Sequence, residues 1–249
     1  MAGLSQRFRD AGFCQPKYML DLHGRTLFAH SVLSFEHYFN SDEFLFVARD
    51  EADTPAFVAR EAAELGIAKF RIAVLSGPTR GQAETVSLGL RQAASHDDEP
   101  LLIFNIDTFR PGFRLPDAPW MAKADGYLEV MHGDDPGFSY ARADPTSTDQ
   151  RVLETVEKRV ISNLASTGVY YFARARLFDD AFRAQSAGPG ESELYVAPLY
   201  NDLIARGGRV HYQLVAEKDV LFCGTPPQYA DQLSHPERFG KTAPDRAES

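Results

Sequence analysis

The sequence predicts an α/β fold built on a mixed, mainly parallel central sheet. Through the first half of the chain, apolar runs of strand length alternate with segments that carry apolar residues at helical spacing. In the second half, several strand-like runs follow one another without helical segments between all of them. Alternation of strands and helices is typical of βαβ units and parallel sheets, whereas the successive strands make the sheet mixed.

The first half opens with a short apolar run, residues 18–22, and a turn around Gly24. We expect a helix over residues 54–65, in which Thr54 is the N-cap, Pro55 takes the first position and Gly66 ends the helix. Apolar spacing and run length predict the remaining elements: helices over residues 27–39 and 81–94, and strands over residues 44–48, 67–75 and 101–106.

The second half is richer in strands. The same patterns predict strands over residues 126–132, 138–143, 152–156, 169–172, 209–215 and 220–223, and helices over residues 176–183 and 194–205. No linker-like segment interrupts this succession, so we expect one domain over residues 1–240. Residues 241–249 read as a disordered tail.

Bulk composition excludes several functional classes. The 249 residues are 44% hydrophobic and 24% charged, as in an ordinary globular enzyme, and the formal charge is −9. A general nucleic-acid surface would need a basic footprint, so none is expected. The chain has two cysteines, far apart, and no apolar run of membrane-spanning length. These features predict a cytoplasmic protein with reduced thiols and no membrane span.

A loop of small residues near the amino end is a candidate phosphate-binding site. Ala2, Gly3 and Ser5 would let the backbone approach a ligand closely, so that N–H groups point at phosphate oxygens. Arg7 and Lys17 would add a guanidinium fork and a point charge for a triphosphate. The alternative is a plain turn, and the Pro-Lys pair at 16–17 favours the binding role.

Asp107 is a candidate metal ligand. It follows the buried apolar run 101–104, and ligands in open α/β sheets bind at the carboxyl ends of strands. A carboxylate in that place can hold Mg²⁺ against phosphates, because Mg²⁺ typically takes one or two carboxylates together with phosphate oxygens. The alternative is an aspartate that only caps a turn ahead of Thr108.

Six motifs, in order along nearly the whole chain, resemble those of the sugar-phosphate nucleotidyltransferases. The loop 2–8 with Pro16-Lys17 resembles the signature loop of that family. The other five motifs are Gly81-Gln82-Ala83-Glu84-Thr85, Phe104-Asn105-Ile106-Asp107, Glu157-Lys158, the stretch 162–172 with Thr167-Gly168, and Gly224-Thr225-Pro226. The resemblance implies a Rossmann-like nucleotidyltransferase fold, in which an NMP passes from a nucleoside triphosphate to a sugar 1-phosphate or similar small phosphorylated acceptor and pyrophosphate leaves.

The resemblance also implies roles for individual residues. Arg7, Lys17 and Lys158 would be catalytic, and Asp107 would hold Mg²⁺. The implied nucleotide-binding residues are Ala2, Gly3, Leu4, Ser5, Gln82 and Ala83, with the Gln82 amide pairing a base edge. The implied acceptor-binding residues are Tyr140, Glu157, Lys158, Thr167 and Gly168. A role in nucleotide-sugar supply for surface polysaccharide follows, and a homo-oligomer stays open.

Glu157 and Lys158 also allow a plainer interpretation. Together with Arg159 they could form a solvated charge run on an edge strand. In the functional interpretation, Glu157 accepts hydrogen bonds from ligand hydroxyls while Lys158 neutralises the attacking phosphate. Because that phosphate must approach another anion, cations are needed on both sides, which favours the functional interpretation.

Three positions depart from the family pattern. Phe222 stands where members usually have a second metal-binding aspartate, so either one carboxylate suffices, another acid such as Asp219 substitutes, or activity is impaired. Tyr140-Ala141 replaces Tyr-Gly, which predicts a methyl group in the acceptor pocket. Arg159 replaces a proline. Two alternative functions stay open: a glycosyltransferase of related fold and a non-catalytic homologue. Residues 105–107 match the two-aspartate motif of glycosyltransferases poorly, which weakens the first alternative.

The signature loop is also expected to follow a buried strand. In doubly wound sheets the first strand is normally central, and a phosphate loop joins it to the first helix. Here the loop starts at Met1. We therefore expect roughly five to ten further apolar residues upstream, the length of an ordinary strand.

Overall fold

The computed structural model describes residues 6–95, 97–187 and 193–239. The α-helices are α1 Gln6–Asp10, α2 Leu27–Leu33, α3 Thr54–Glu64, α4 Gln82–Gln92, α5 Ala175–Ser186, α6 Tyr200–Ala205 and α7 Pro226–Leu233. Short 3-10 helices span Lys17–Met19, Glu36–Tyr38, Met121–Lys123, Ala197–Leu199, Glu217–Asp219 and Pro236–Phe239. The predicted tail 241–249 lies outside the described residues.

The strands range from two to nine residues in length. They are β1 Asp21–Leu22, β2 Arg25–Thr26, β3 Phe44–Arg49, β4 Phe70–Leu75, β5 Leu101–Ile103, β6 Thr108–Phe109, β7 Gly126–His132, β8 Ser139–Ala143, β9 Val152–Glu157, β10 Leu164–Phe172, β11 Val210–Leu214 and β12 Leu221–Phe222. The α/β class is thus confirmed. α7 was not predicted; its Thr225–Gln228 capping box, however, is visible in the sequence.

The main sheet has six strands and is mixed, as predicted. Its order is β11-β7-β10-β8-β9, with β5 also paired to β10. Parallel pairing is less common than predicted: among the described strands only β11·β7 and β3·β4 are parallel, and four pairs of the six-stranded sheet are antiparallel. Only β8 and β9 are consecutive in the chain, where a short connection favours antiparallel pairing. The other three antiparallel pairs all involve β10, which runs against β5, β7 and β8.

β10 changes its partner part-way along one edge. Ala165 lies opposite Tyr140 of β8, whereas residues 170–172 pair with β5. A bulge between Ser166 and Tyr170 separates the two registers. Gly168 lies inside this bulge with φ +91°, in the region that favours glycine. The bulge therefore opens the sheet at the Thr167-Gly168 motif.

Two clusters form most of the core. One packs the six-stranded sheet against α4, α5 and α6, and the other packs β3 against α2 and α3. α3 begins where predicted, but its N-cap is Asp53, so the expected capping role of Thr54 is wrong. The Thr54 hydroxyl instead lies 2.7 Å from the Tyr18 hydroxyl, inside the second cluster. Gly66 follows the helix end with φ +78°, as expected.

The β3·β4 pair is separate from the six-stranded sheet. Within the part of the chain that the structure describes, no strand lies between β3 and β5. The strand expected upstream of Met1 stays a prediction. The division leaves a cleft whose lining includes residues 44–47 of β3 and all three residues of β5.

Candidate active site

The cleft has a volume of about 1860 Å³ and is lined by most of the predicted site residues that the structure describes. Its lining includes Arg7, Lys17, Gln82, Asp107, Glu157, Thr167 and Gly168. These residues come from segments that are far apart in the chain, from Arg7 to Gly168. The predicted loop residues Ala2, Gly3, Leu4 and Ser5 lie outside the described residues.

A cation and a carboxylate face each other in the cleft. The 3-10 helix Lys17–Met19 presents Lys17, whose Nζ lies 2.5 Å from Oδ2 of Asp107. Asp107 occupies the turn between β5 and β6, and its carbonyl oxygen accepts a hydrogen bond of 2.8 Å from the Cys223 amide. The side chains are 21% and 26% exposed, so a ligand can reach both. Both roles predicted for this pair need such access.

The surroundings of Asp107 fit Mg²⁺ that is shared with a phosphate ligand. The carboxylate is a hard oxygen donor, and a Cβ on Gly224 would lie 3.0 Å from Asp107 Oδ2, so the glycine preserves space around it. Among the described residues there is no group of three or more His, Cys, Asp or Glu that could hold a metal alone. Mg²⁺ commonly combines one carboxylate with phosphate oxygens and waters, which this donor set allows.

The position of the usual second aspartate is aromatic. Phe222 lines the cleft, and its ring centroid lies 5.1 Å from that of Phe138. Asp219 does not line the cleft, and its carbonyl accepts a hydrogen bond of 2.7 Å from Arg110 Nη1. Asp219 therefore does not substitute for the missing carboxylate in this arrangement.

Gln82 is held at the start of α4 by an asparagine that we did not assign to the site. Its Nε2 donates to Oδ1 of Asn105 over 2.5 Å. A Cβ on Gly168 would lie 2.3 Å from Asn105 Nδ2, so only glycine fits against this amide pair. Ala83, in contrast, is fully buried, and its amide already donates to the Leu194 carbonyl. Gln82 rather than Ala83 is therefore placed to contact a ligand.

Glu157 lies half-buried at the end of β9. Its Oε2 accepts a hydrogen bond from the Ser139 hydroxyl, which lies 3.5 Å from the Tyr170 hydroxyl. Burial raises the pKa of the Glu157 carboxyl, and the Ser139 hydrogen bond opposes part of that rise. The partial burial of Glu157 agrees better with a role as acceptor for ligand hydroxyls than with a place in a solvated charge run.

Lys158 projects from a left-handed backbone conformation, φ 52°. Its Nζ donates to the Tyr195 hydroxyl and lies 3.5 Å from Oε2 of Glu193, both of which line the cleft. The Tyr195 hydrogen bond raises the pKa of Lys158, so the ammonium stays charged at neutral pH. Lys158 is 53% exposed and does not itself line the cleft. Arg159 is 68% exposed and pairs with Glu154. Exposure therefore agrees with the plainer interpretation at both positions, and only the contacts of Lys158 with two cleft residues favour the functional one.

β8 carries two residues that were expected at the acceptor. Tyr140 and Ala141 are fully buried, and neither lines the cleft. The Tyr140 hydroxyl donates to the Asp135 carbonyl over 2.7 Å and so supports the loop before β8. The expected protrusion of the Ala141 methyl group is wrong, because β8 is an interior strand whose alanine packs in the core.

A buried ion pair contacts Thr167, which lines the cleft. Arg110 donates to both carboxylate oxygens of Glu129, over 2.6 and 2.9 Å, and the Thr167 hydroxyl donates to Glu129 Oε1 over 2.9 Å. Because the Thr167 hydroxyl donates its proton to Glu129, its oxygen can act only as an acceptor towards a ligand. Sequence patterns missed this network, as well as Ser139, Glu193 and Tyr195, because only the strand pairing brings these side chains together.

Comparisons with known proteins place the chain in a family. No family model and no curated protein matches it. The crystal structure of a nucleoside-diphosphate-sugar pyrophosphorylase from Vibrio cholerae RC9 is 48% identical, with a TM-score of 0.90, and the match covers 94% of this chain and 97% of that one.

Two more distant structures share the fold. A glucose-1-phosphate thymidylyltransferase from Bacillus anthracis is 16% identical with a TM-score of 0.73, covering 98% of this chain and 94% of that one. The inositol-1-phosphate CTP transferase from T. maritima is 15% identical with a TM-score of 0.70, covering 97% and 95%. The first comparison decides membership, because identity is high over nearly the full length of both chains. The chain belongs to the nucleoside-diphosphate-sugar pyrophosphorylases, within the sugar-phosphate nucleotidyltransferase family.

Proposed function

We propose that the protein transfers an NMP from a nucleoside triphosphate to a sugar 1-phosphate and releases pyrophosphate. One observation carries the proposal: the same cleft is lined by the Lys17–Asp107 pair and by Glu157, and the neighbouring Lys158 contacts two other lining residues, Glu193 and Tyr195. A reaction that joins two phosphate-bearing substrates needs cations near the phosphates of each substrate. It also needs hydrogen-bond acceptors for the hydroxyl groups of the sugar.

The reaction needs no covalent enzyme intermediate. An oxygen of the acceptor phosphate attacks the α-phosphorus in line, a new P–O bond forms, and the α–β bridging P–O bond breaks. Its electron pair leaves on pyrophosphate, so no proton has to be removed from the nucleophile. Catalysis is then positioning and charge neutralisation.

Each side chain has a role that its position supports. Arg7 and Lys17 neutralise the triphosphate, Lys158 aligns the acceptor phosphate, and Glu157 accepts hydrogen bonds from acceptor hydroxyls. Gln82 reads a base edge while Asn105 fixes its amide. Asp107 would hold Mg²⁺ together with phosphate oxygens, and the metal would supply Lewis-acid neutralisation of the phosphates when bound.

The setting of the reaction is part of the proposal. We place it in the cytoplasm, where the product would supply surface polysaccharide synthesis. No helix in residues 6–95, 97–187 and 193–239 combines the length and the apolar character that a membrane crossing requires.

A panel assay tests the function. Five nucleoside triphosphates are combined with a set of sugar 1-phosphates and Mg²⁺, and pyrophosphate is measured. We expect release that requires one triphosphate and one acceptor together and that stops with EDTA. A non-catalytic homologue, which Phe222 favours, would bind triphosphate without turnover, and a glycosyltransferase would consume only a nucleotide-sugar.

A further inference from the structure

Two hydroxyl groups of the cleft lining, those of Ser139 and Thr167, donate their protons within the protein. The Thr167 hydroxyl donates to Glu129 Oε1 over 2.9 Å. The Ser139 hydroxyl donates to Oε2 of Glu157, which also lines the cleft. A hydroxyl has one proton and two lone pairs, so each of these oxygens can only accept a further hydrogen bond. Both side chains therefore favour a ligand group that donates.

Glu193 and Tyr195 add two more acceptors to the same lining. The Tyr195 hydroxyl donates to Oε2 of Glu193, so the phenol oxygen is left as an acceptor. An ionised carboxylate can only accept hydrogen bonds, which applies to Glu193 and Glu157 alike. The groups that present lone pairs rather than protons to a ligand are thus Ser139, Glu157, Thr167, Glu193 and Tyr195.

The two carboxylates carry negative charge that the protein compensates only in part. Burial raises the pKa of the Glu157 carboxyl, and the charge of Glu193 adds to that rise, so the two groups lie near enough to repel each other. Among residues 6–95, 97–187 and 193–239, Lys158 is the one cation that forms an ion pair with either of them, at 3.5 Å from Glu193. Two carboxylates of the cleft therefore share one ammonium group.

Lys158 shows how an ammonium group fits against Glu193 and Tyr195. Its Nζ donates to the Tyr195 hydroxyl and lies 3.5 Å from Oε2 of Glu193. The same Nζ lies 4.6 Å from the centroid of the Tyr195 ring, within the range of a cation–π contact. In the proposed reaction, Lys158 turns to the phosphate of the acceptor. Glu193 and Tyr195 then lose their cation, and an ammonium group of the ligand can replace it.

We propose that the acceptor carries a protonated amino group besides its phosphate, and that Glu193 and Tyr195 bind this group. The inference rests on the proposed nucleotidyl transfer, whose acceptor it specifies. An ammonium group offers N–H donors to the lone pairs of the lining and one positive charge to the second carboxylate. The hydroxyls of a neutral sugar would satisfy the hydrogen bonds but would leave that charge uncompensated. Two kinds of compound have this chemistry, the amino sugar 1-phosphates and the aminoalkyl phosphates.

Two matched pairs of acceptors test the inference. Glucosamine 1-phosphate is compared with glucose 1-phosphate, and O-phosphoethanolamine with 2-hydroxyethyl phosphate, so that each pair exchanges an ammonium group for a hydroxyl. The Kd of each acceptor is measured by calorimetry, with and without α,β-methylene triphosphates, and pyrophosphate release is followed with Mg²⁺ and ordinary triphosphates. The wild type is compared with Glu193→Gln. The matched control is Glu154→Gln, whose carboxylate pairs with Arg142 and does not line the cleft.

The amino member of at least one pair should bind about tenfold or more tightly than its hydroxyl analogue, because a charge-assisted hydrogen bond replaces a neutral one. The pair that shows this preference identifies the kind of acceptor. The preference should fall to about threefold or less in Glu193→Gln and persist in Glu154→Gln.

Three results would overturn the inference: hydroxyl members that bind equally well or better in both pairs, no binding of any acceptor, or an unchanged preference in Glu193→Gln. A lack of pyrophosphate release with every acceptor would instead contradict the proposed function, because the Kd ratios do not depend on turnover.

Discussion

The Nζ of Lys17 lies 2.5 Å from Oδ2 of Asp107. Each group neutralises the charge of the other. A triphosphate with Mg²⁺ offers both groups better partners, since Lys17 can turn to phosphate oxygens while Asp107 takes the metal. If the proposed roles hold, we expect the pair to link nucleotide binding to metal binding.

Removing either member of the pair should abolish most activity while the fold stays intact. We expect Lys17→Ala and Asp107→Ala each to lower turnover by about 100- to 1000-fold, because transition-state charge loses its partner. Stability should change by about 1 kcal/mol or less, since both side chains are partly exposed. Steady-state kinetics and thermal melts check this. Lys123→Ala and Asp117→Ala, exposed and outside the cleft, are the matched controls, and near-native turnover in either test variant would contradict the assigned role.

Lys158 should act on the acceptor alone. We expect Lys158→Ala to raise the KM for the acceptor by about tenfold or more, because one charge-assisted hydrogen bond is lost. The Kd for triphosphate, measured by calorimetry, should stay the same, because Lys158 lies with Glu193 and Tyr195. Arg159→Ala is the control one residue along. Weakened triphosphate binding in Lys158→Ala would refute the assignment.

Gly168 should be needed for nucleotide recognition through Asn105. In Gly168→Ala the new methyl group would displace Asn105 and, with it, Gln82. We expect the triphosphate Kd to rise by about tenfold, the loss of one hydrogen-bonded contact, in addition to backbone strain of about 1–2 kcal/mol. Gly112→Ala separates the two effects, because Gly112 also has positive φ but open space around it. Equal nucleotide affinities in the two variants would exclude a role for the Asn105 contact.

Glu157 should make stability depend on pH. Burial raises the pKa of its carboxyl in the folded protein above that of the unfolded chain. The unfolded state then releases its proton at lower pH, so the folded state loses stability as pH rises from about 4. Glu157→Gln removes this loss. The melting temperature of Glu157→Gln, relative to that of the wild type, should therefore increase between pH 4 and 7. If this difference stays constant or decreases over that range, the raised pKa of Glu157 is contradicted.

Local patterns were sufficient for the residues that follow strands in sequence. Asp107 could be placed because a carboxylate after a buried apolar run lies at the ligand-binding edge of an α/β sheet. Lys17 could be placed from its motif, although not its contact with Asp107, which joins positions 90 residues apart. Strand pairing decides such contacts, and no local signal carries it.

Burial also decided outcomes that the motifs left open. Tyr140 matches a position that binds ligand in the family motif. Because β8 lies between β9 and β10, however, the ring of Tyr140 is buried instead of facing the cleft. Thr54 has a capping side chain, but the Tyr18 hydroxyl and the Glu51 carbonyl engage it. In both cases tertiary contacts outweighed the local preference.

The most direct measurement follows the phosphate of the acceptor. Sugar 1-phosphate labelled with ³²P is incubated with Mg²⁺, the wild-type protein and each triphosphate in turn. Nucleotidyl transfer puts the label into a nucleotide-linked diphosphate and releases one unlabelled pyrophosphate per labelled product. Label that never enters such a product with any triphosphate, or that appears as free phosphate, would contradict the proposed reaction.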